Sequence, residues 1–93
     1  MKISINKQEF IKWLQSYHPR SKIGIPGSCK WCPIAKFLKH KYDTDDVEAG
    51  AYELTVDGLD IDTPKWATSL MLAVDKTGKL HVTAQEVLKI LKQ

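Results

Sequence analysis

Apolar side chains recur along the first half of this chain at the spacing of amphipathic helices. In residues 10–17 they stand at i, i+3, i+4 and i+7, and Asn6 with Glu9 three residues later forms a capping-box pattern. A second apolar stripe occupies residues 32–42, where Pro33 suits the first turn of a helix. The pattern therefore predicts one helix before residue 18 and another after residue 32.

Two further helices are predicted in the second half. Thr63 supplies a cap and Pro64 a first-turn proline, and apolar residues then recur over 66–74 until residues 75–78 stop the helix. Thr83 and Glu86 form a second capping box ahead of an amphipathic segment over 87–91.

Short segments of alternating polarity predict strands. Residues 51–56 alternate as in a half-buried strand, the Asp57–Gly58 pair is typical of a hairpin turn, and residues 59–61 can form the return strand. Residues 80–82 and 2–5 predict two more short strands. Residues 18–28 contain two Pro, two Gly and two Ser, which predicts a surface loop.

Together these elements predict one α+β domain over residues 1–93, with about four helices packed on a short antiparallel sheet of two to three strands. The helix after residue 32 is expected to pack against the strand over 51–56. The predicted core consists of Phe10, Trp13, Leu14, Ile34, Phe37, Leu38, Tyr52, Leu54, Val56, Trp66, Leu70, Val74, Leu80, Val82, Val87, Leu88 and Leu91.

Composition limits the class of protein. Hydrophobic residues make up 43% and charged residues 27% of the chain, which favours a folded domain over a disordered one. No apolar run approaches the ~18 residues of a membrane span, and the N-terminus lacks a signal-peptide pattern. Two cysteines are too few for a disulfide scaffold. We therefore expect a reduced, cytoplasmic protein that does not bind membranes.

Charge is divided between the two halves. Residues 1–42 carry nine Lys and Arg against one Glu, a net charge of +8, whereas residues 43–93 carry five Lys and ten acids, a net charge of −5. Eight of those acids lie between Asp43 and Asp62. If the halves occupy different faces, this division steers association with charged partners. If the halves pack together, their charges partly neutralise each other, and the sequence leaves both alternatives open.

Three short motifs resemble a known group of proteins. Residues 32–35 (Cys-Pro-Ile-Ala) resemble a helix start in small uncharacterised bacterial and phage proteins, in which a Pro-x-Trp helix and an Asp-x-x-Gly turn follow. Residues 64–66 (Pro-Lys-Trp) and 75–78 (Asp-Lys-Thr-Gly) stand here in the same order, so the resemblance covers roughly residues 32–82. It implies a shared fold and a phage or mobile-element context but no activity. This chain departs from the group by adding Cys29 and a Lys-rich N-terminal third.

Cys29 and Cys32 stand three residues apart near a helix start, where helix N–H groups favour thiolates. A zinc site would need further ligands from among His18, His40 and His81, of which His18 and His40 are the named candidates. A thioredoxin-like dithiol would need a strand where a Gly/Pro loop stands. Because free cysteines are among the most buried residues, burial of both thiols is the favoured interpretation, with no metal and no cofactor.

No catalytic pattern emerges from the sequence. It has no P-loop, no dinucleotide fingerprint and no oriented triad, so we expect a non-enzymatic protein. Aligning Gly78 with the glycine of a calcium loop puts Ala73 and Ala84 at ligand positions, which argues against calcium. His81, in a short apolar segment, is expected to be packed rather than to act as a base.

The favoured function is a binding module, an adaptor or inhibitor, that contacts another protein through a charged surface. One candidate surface is the nucleic-acid-binding groove of a host enzyme. Its acidic candidates are Asp45, Asp46, Asp60 and Asp62. One alternative is a nucleic-acid-binding accessory protein in which Trp31 stacks on a base. Its candidate contacts are Arg20, Lys22, Lys30, Trp31, Lys36, Lys39 and Lys41. The other alternative is a zinc or redox protein that uses the two cysteines.

Overall fold

The computed structural model describes residues 3–92 of the chain. Within this range four helices and five short strands confirm the predicted α+β class. In chain order they are α1 (Lys7–Gln15), β1 (Lys22–Gly24), α2 (Pro33–Tyr42), β2 (Val47–Ala49), β3 (Glu53–Val56), β4 (Leu59–Asp62), α3 (Lys65–Asp75), β5 (Val82–Thr83) and α4 (Ala84–Leu91).

Local capping explains where three of the helices begin. The Asn6 carboxamide oxygen accepts hydrogen bonds from the first-turn N–H groups of α1, at 2.8 and 3.1 Å. Cys32 caps α2 through its sulfur, which accepts a bond from the Ala35 N–H at 3.4 Å. Both bonds of the predicted capping box between Thr83 and Glu86 form at α4. These caps satisfy N–H groups that have no partner inside the helix.

The predicted cap of α3 is wrong. Pro64, rather than Thr63, occupies the N-cap position, and no side chain caps the helix there. The Thr63 hydroxyl donates instead to the carbonyl of Gly50 at 2.9 Å, which ties the start of α3 to the strand region.

The strands form two antiparallel sheets, whereas the sequence predicted one. Strands β2, β3 and β4 form a three-stranded sheet in that order, and β1 pairs with β5 in a second, two-stranded sheet. The turn between β3 and β4 is the predicted hairpin, with Asp57 at φ 49° and Gly58 at φ 81°. Positive φ at both turn positions is characteristic of a tight two-residue hairpin.

Four predictions about strands need correction. Strand β1 lies inside residues 18–28, which were expected to be loop, and β2 follows the acidic turn with no strand predicted there. Residues 3–5 form no strand, and Lys2 lies outside the described residues. The strand expected at 80–82 begins at Val82.

Most of the predicted core is buried, and two of its members are not. Tyr52 is 80% exposed and Leu80 is 84% exposed, because both lie just outside the strands that would have turned them inward. Trp66, Leu88 and Leu91 are partly buried against the core. Cys32 is buried in this core, as expected for that thiol. The core also contains residues that the sequence did not indicate: Ile3, Ile23, Ala35, Val47, Ala49, Ala67, Met71 and Ala84.

Helix α2 occupies the middle of the packing. It contacts β1 and β2, so its predicted neighbour β3 lies one strand further along the sheet. Helix α4 contacts both α1 and α3. The Cα radius of gyration of 12.0 Å matches the ~12 Å expected for a compact domain of this length. In the described part of the chain, no helix has the length and apolar character needed to cross a bilayer.

Candidate functional site

One side of the three-stranded sheet carries only polar and acidic side chains. Along β2, β3 and β4 the apolar residues alternate with polar ones, so the apolar set faces the core and the polar set faces outward. Four exposed carboxylates stand on the outward side, which we call the acidic sheet face: Glu48, Glu53, Asp60 and Asp62.

Strand register places these carboxylates next to one another. Glu53 stands directly opposite Asp62, and Thr55 stands between Glu48 and Asp60 on the neighbouring strands. The Thr55 hydroxyl donates a hydrogen bond to Asp60 at 2.8 Å, which fixes that carboxylate on the sheet. Like charges opposite each other on adjacent strands destabilise a sheet by roughly 0.2–1 kcal/mol per pair.

The acidic candidates Asp45 and Asp46 extend the charge past one end of this sheet. Both are exposed, and the Asp46 carbonyl accepts a bond from the Asp57 N–H at 2.9 Å, which holds this turn against the hairpin turn. Among residues 3–92 the only ion pairs are Lys41 with Glu9 and Lys79 with Glu86. The acidic candidates therefore all lie on or beside one sheet, and none is neutralised by a cation of the described chain.

A second feature is the solvent-exposed aromatic ring of Trp31. Trp31 is 56% exposed, yet its backbone is fixed on both sides. Its carbonyl accepts a bond from the Ile25 N–H at 2.8 Å, and its own N–H donates to the Ser28 hydroxyl at 3.1 Å. The ring is thus presented by an ordered loop that leads directly into α2.

One lysine contacts this ring, and two more line the cleft beside it. Lys39 Nζ lies 3.6 Å from the centroid of the Trp31 ring, a cation–π contact. Lys22 on β1 and Lys36 on α2 line a cleft of about 270 Å³ beside the ring. The remaining wall of this Trp31 cleft consists of Ile23, Gly24, Ile25 and His81. His81 is exposed, so the expectation that it packs in the interior is wrong.

The other basic candidates do not join the cleft. Lys41 lies on a different side of α2 from Lys36 and Lys39. It contacts Glu9 at 3.4 Å and the Ser4 carbonyl at 3.1 Å. Arg20 and Lys30 are exposed and do not line the cleft, although Lys30 directly precedes Trp31. The structure therefore divides the seven predicted contacts into a group of four around Trp31 and three outside it.

The two cysteines have different environments. Cys32 is buried and Cys29 is exposed, so the expected burial of both thiols is wrong for Cys29. Burial raises the pKa of the Cys32 thiol, and the opposing hydrogen bond from the Ala35 N–H is weaker. Both residues line a cleft of about 210 Å³, at whose edge Asp75 accepts a bond from the Gly27 N–H at 2.7 Å.

The histidines named as alternative zinc ligands lie in other contacts. His18 Nδ1 accepts the Arg20 N–H at 3.1 Å, and the His40 ring lies 6.3 Å from the Trp13 ring. Within residues 3–92, no three His, Cys, Asp or Glu side chains converge as a metal site would require. The structure does not bring the alternative ligand set together.

Comparison of the chain with known protein families, curated proteins and solved structures returned no match. The resemblance of residues 32–82 to small bacterial and phage proteins therefore stays a prediction.

The sequence did not predict some residues of the acidic sheet face and of the Trp31 cleft. Glu48 and Glu53 share a face with Asp60 and Asp62 only through strand register, which a single sequence does not reveal. Ile25 reaches the Trp31 cleft because β1 forms inside the predicted loop. An alternating Lys-Ile-Gly segment was the available indication of that strand, but it is only three residues long.

Proposed function

We propose that this chain is a non-enzymatic binding module, an adaptor or inhibitor, whose acidic sheet face contacts a basic surface on another protein. The observation that supports this proposal is the acidic sheet face itself. It combines four outward carboxylates on adjacent strands with no ion-pair partner among the described residues.

Neighbouring carboxylates on the acidic sheet face lower the stability of the isolated domain. Glu53 and Asp62 repel each other across the β3–β4 pair, where Thr or a Lys–Glu pair would be neutral or favourable. A basic partner surface relieves this repulsion when the complex forms. Complementary charge chiefly raises the rate of association and selects against acidic partners.

The contact is expected to be made by side chains rather than by strand addition. Strand β4 is an edge of its sheet, and its outward residues Asp60 and Asp62 are charged. Charged edge strands disfavour pairing with a further strand. An acidic face of this kind complements a basic groove, including one that binds nucleic acid in a host enzyme if the phage or mobile-element context holds.

Affinity capture from the native host tests the proposal. The tagged chain, the double variant Glu53→Gln/Asp62→Asn and the control Glu9→Gln are compared, each checked for folding by circular dichroism. We expect a protein with a basic surface to bind the parent chain and the control. Measured on the purified partner, the double variant should associate on the order of tenfold more slowly at low salt, because steering is lost.

Two results would count against the proposal. The first is capture that is equal for the parent chain and the double variant. The second is a partner whose crosslinks map outside β2, β3 and β4. Sedimentation of the chain alone at low salt checks that the basic surface is not that of a second copy.

A further inference from the structure

We infer that the Trp31 cleft is a second binding site, independent of the acidic sheet face, and that its ligand is single-stranded nucleic acid. The inference rests on a small cleft that is lined by two lysines, an exposed tryptophan and an apolar wall, with a third lysine over the tryptophan ring.

The lysines carry positive charge that the described chain does not neutralise. Lys22, Lys36 and Lys39 belong to none of the ion pairs within residues 3–92. Lys36 and Lys39 share one side of α2, and Lys22 approaches from β1, so charge converges on the cleft from two elements. Phosphate groups are the ligands that such unpaired ammonium groups bind while releasing counterions.

The aromatic ring distinguishes this cleft from a simple basic patch. Trp31 is exposed, and its backbone is hydrogen-bonded to Ile25 and Ser28, so the main chain that carries the ring is fixed before a ligand arrives. A base of a single strand can stack on such a ring, whereas the bases of a duplex already stack on each other. Lys39 Nζ covers one face of the ring at 3.6 Å, so a base has to stack on the other face, and Lys39 then supplies positive charge for the adjoining phosphate.

The size and polarity of the cleft favour a nucleic-acid strand over an acidic peptide. An acidic peptide needs the lysines but gains little from Trp31 and the apolar side chain of Ile25. A strand alternates flat, weakly polar bases with phosphates, which matches both features. At about 270 Å³ the cleft lies below the ~300–1,000 Å³ of most small-molecule sites, which suits one base of a longer ligand.

Fluorescence anisotropy with a labelled oligothymidylate of about one dozen nucleotides tests the inference. At physiological salt we expect Kd of about 1–100 µM, the range of non-specific nucleic-acid binding, and tighter binding at low salt. The slope of log K against log salt should be roughly −2, because each of three phosphate contacts contributes about −0.7 on single strands. Trp31→Ala should weaken binding about 5- to 150-fold, the range measured for loss of one stacked base.

Charge variants on one helix provide the matched control. Lys36→Gln should weaken binding and reduce the salt slope by about 0.7, whereas Lys41→Gln, the same change on another side of α2, should leave both unchanged. Trp31→Phe keeps an aromatic surface and should retain most of the affinity. Circular dichroism confirms that each variant is folded.

The inference is overturned if no saturable binding appears at low salt, or if Lys41→Gln weakens binding as much as Lys36→Gln. A duplex of the same length that binds as tightly as the single strand would also overturn it, since stacking would then contribute nothing. So would a thymidine mononucleotide, or a polyglutamate peptide, that binds as tightly as the oligonucleotide. Glu53→Gln/Asp62→Asn should bind the oligonucleotide normally, which separates this site from the proposed protein contact.

Discussion

At the scale of single residues, Gly24 sets how closely β1 approaches the start of α2. A Cβ atom at this position would lie 2.6 Å from Pro33 N and 2.7 Å from Pro33 Cδ, closer than real contacts allow. We expect Gly24→Ala to lower the free energy of unfolding by about 1–3 kcal/mol, the usual cost of overpacking, and urea denaturation measures it.

Gly27→Asn is a suitable control for this change. Gly27 has φ of 78°, which Asn tolerates better than most residues, and a Cβ there would meet nothing within 4 Å. Its urea midpoint should stay much closer to that of the parent chain. If Gly24→Ala shares the parent midpoint, β1 does not pack against Pro33 as described.

The two thiols should differ in reactivity. Cys29 is exposed, whereas burial raises the pKa of Cys32, so at pH 8 the Cys32 thiol remains protonated and shielded. We expect a disulfide reagent to modify one thiol per chain rapidly and the second after unfolding in urea. Cys32 in the folded chain should become reactive only as pH rises toward its raised pKa.

Cys29→Ser identifies the fast thiol. This variant should show no rapid phase, whereas Cys32→Ser should keep it. Two thiols that react equally fast in the folded parent chain would contradict the assigned burial. The sequence could not separate the two cysteines, because their difference arises from the turn over residues 29–32 that directs only Cys32 toward the core.

At the scale of elements, the capping box of α4 should make stability depend on pH. The pKa of Glu86 is lowered, chiefly by the hydrogen bond from Lys79 and further by bonds from Thr83, while partial burial opposes the shift. A carboxylate with a lowered pKa in the folded state stabilises the fold above its unfolded pKa of about 4.3. That contribution disappears as pH falls through the lowered value.

Glu86→Gln isolates this charge, because glutamine still fits the capping box. We expect the variant to be less stable than the parent chain at pH 7 and equally stable near pH 2–3, where the parent carboxylate is protonated. Thr83→Ala, which removes the cap, should cost about 1 kcal/mol at pH 7. A stability difference between Glu86→Gln and the parent chain that is the same at both pH values would contradict this account.

Helices were predictable from the sequence in a way that strands were not. A helix depends on residues three or four apart and on its cap, as Asn6 and Thr83 illustrate. The β1–β5 pair joins Lys22 to Thr83, which are distant in sequence, so no local pattern predicts the pairing. The β3–β4 hairpin was predicted because Asp57 and Gly58 place its turn in adjacent residues.

At the scale of the whole molecule, the acidic and basic halves of the chain meet in one fold but form no ion pair with each other among residues 3–92. The acidic segment folds into one sheet with its carboxylates outward, and no ion pair joins it to the basic half among residues 3–92. The two halves thus pack on each other, through α2 with β2 and β1 with β5, without direct pairing of their charges in the described chain. The sequence did not separate Lys41 from Lys36 and Lys39, because that depends on which side of α2 meets the N-terminal segment.

Separated charge should make the stability of the molecule rise with sodium chloride. Repulsion within the acidic sheet face is unrelieved, whereas salt can weaken only two ion pairs of the described chain. Screening shortens the Debye length from about 10 Å at 0.1 M to about 3 Å at 1 M, so more repulsion than attraction is lost. Each kcal/mol gained should raise the thermal midpoint by about 4–8 °C, measured by circular dichroism.

The variant Glu53→Gln/Asp62→Asn should be more stable than the parent chain at low salt, and its midpoint should rise less with added salt. A midpoint that falls with salt, or a double variant with the full response of the parent chain, would place the dominant electrostatic interaction elsewhere.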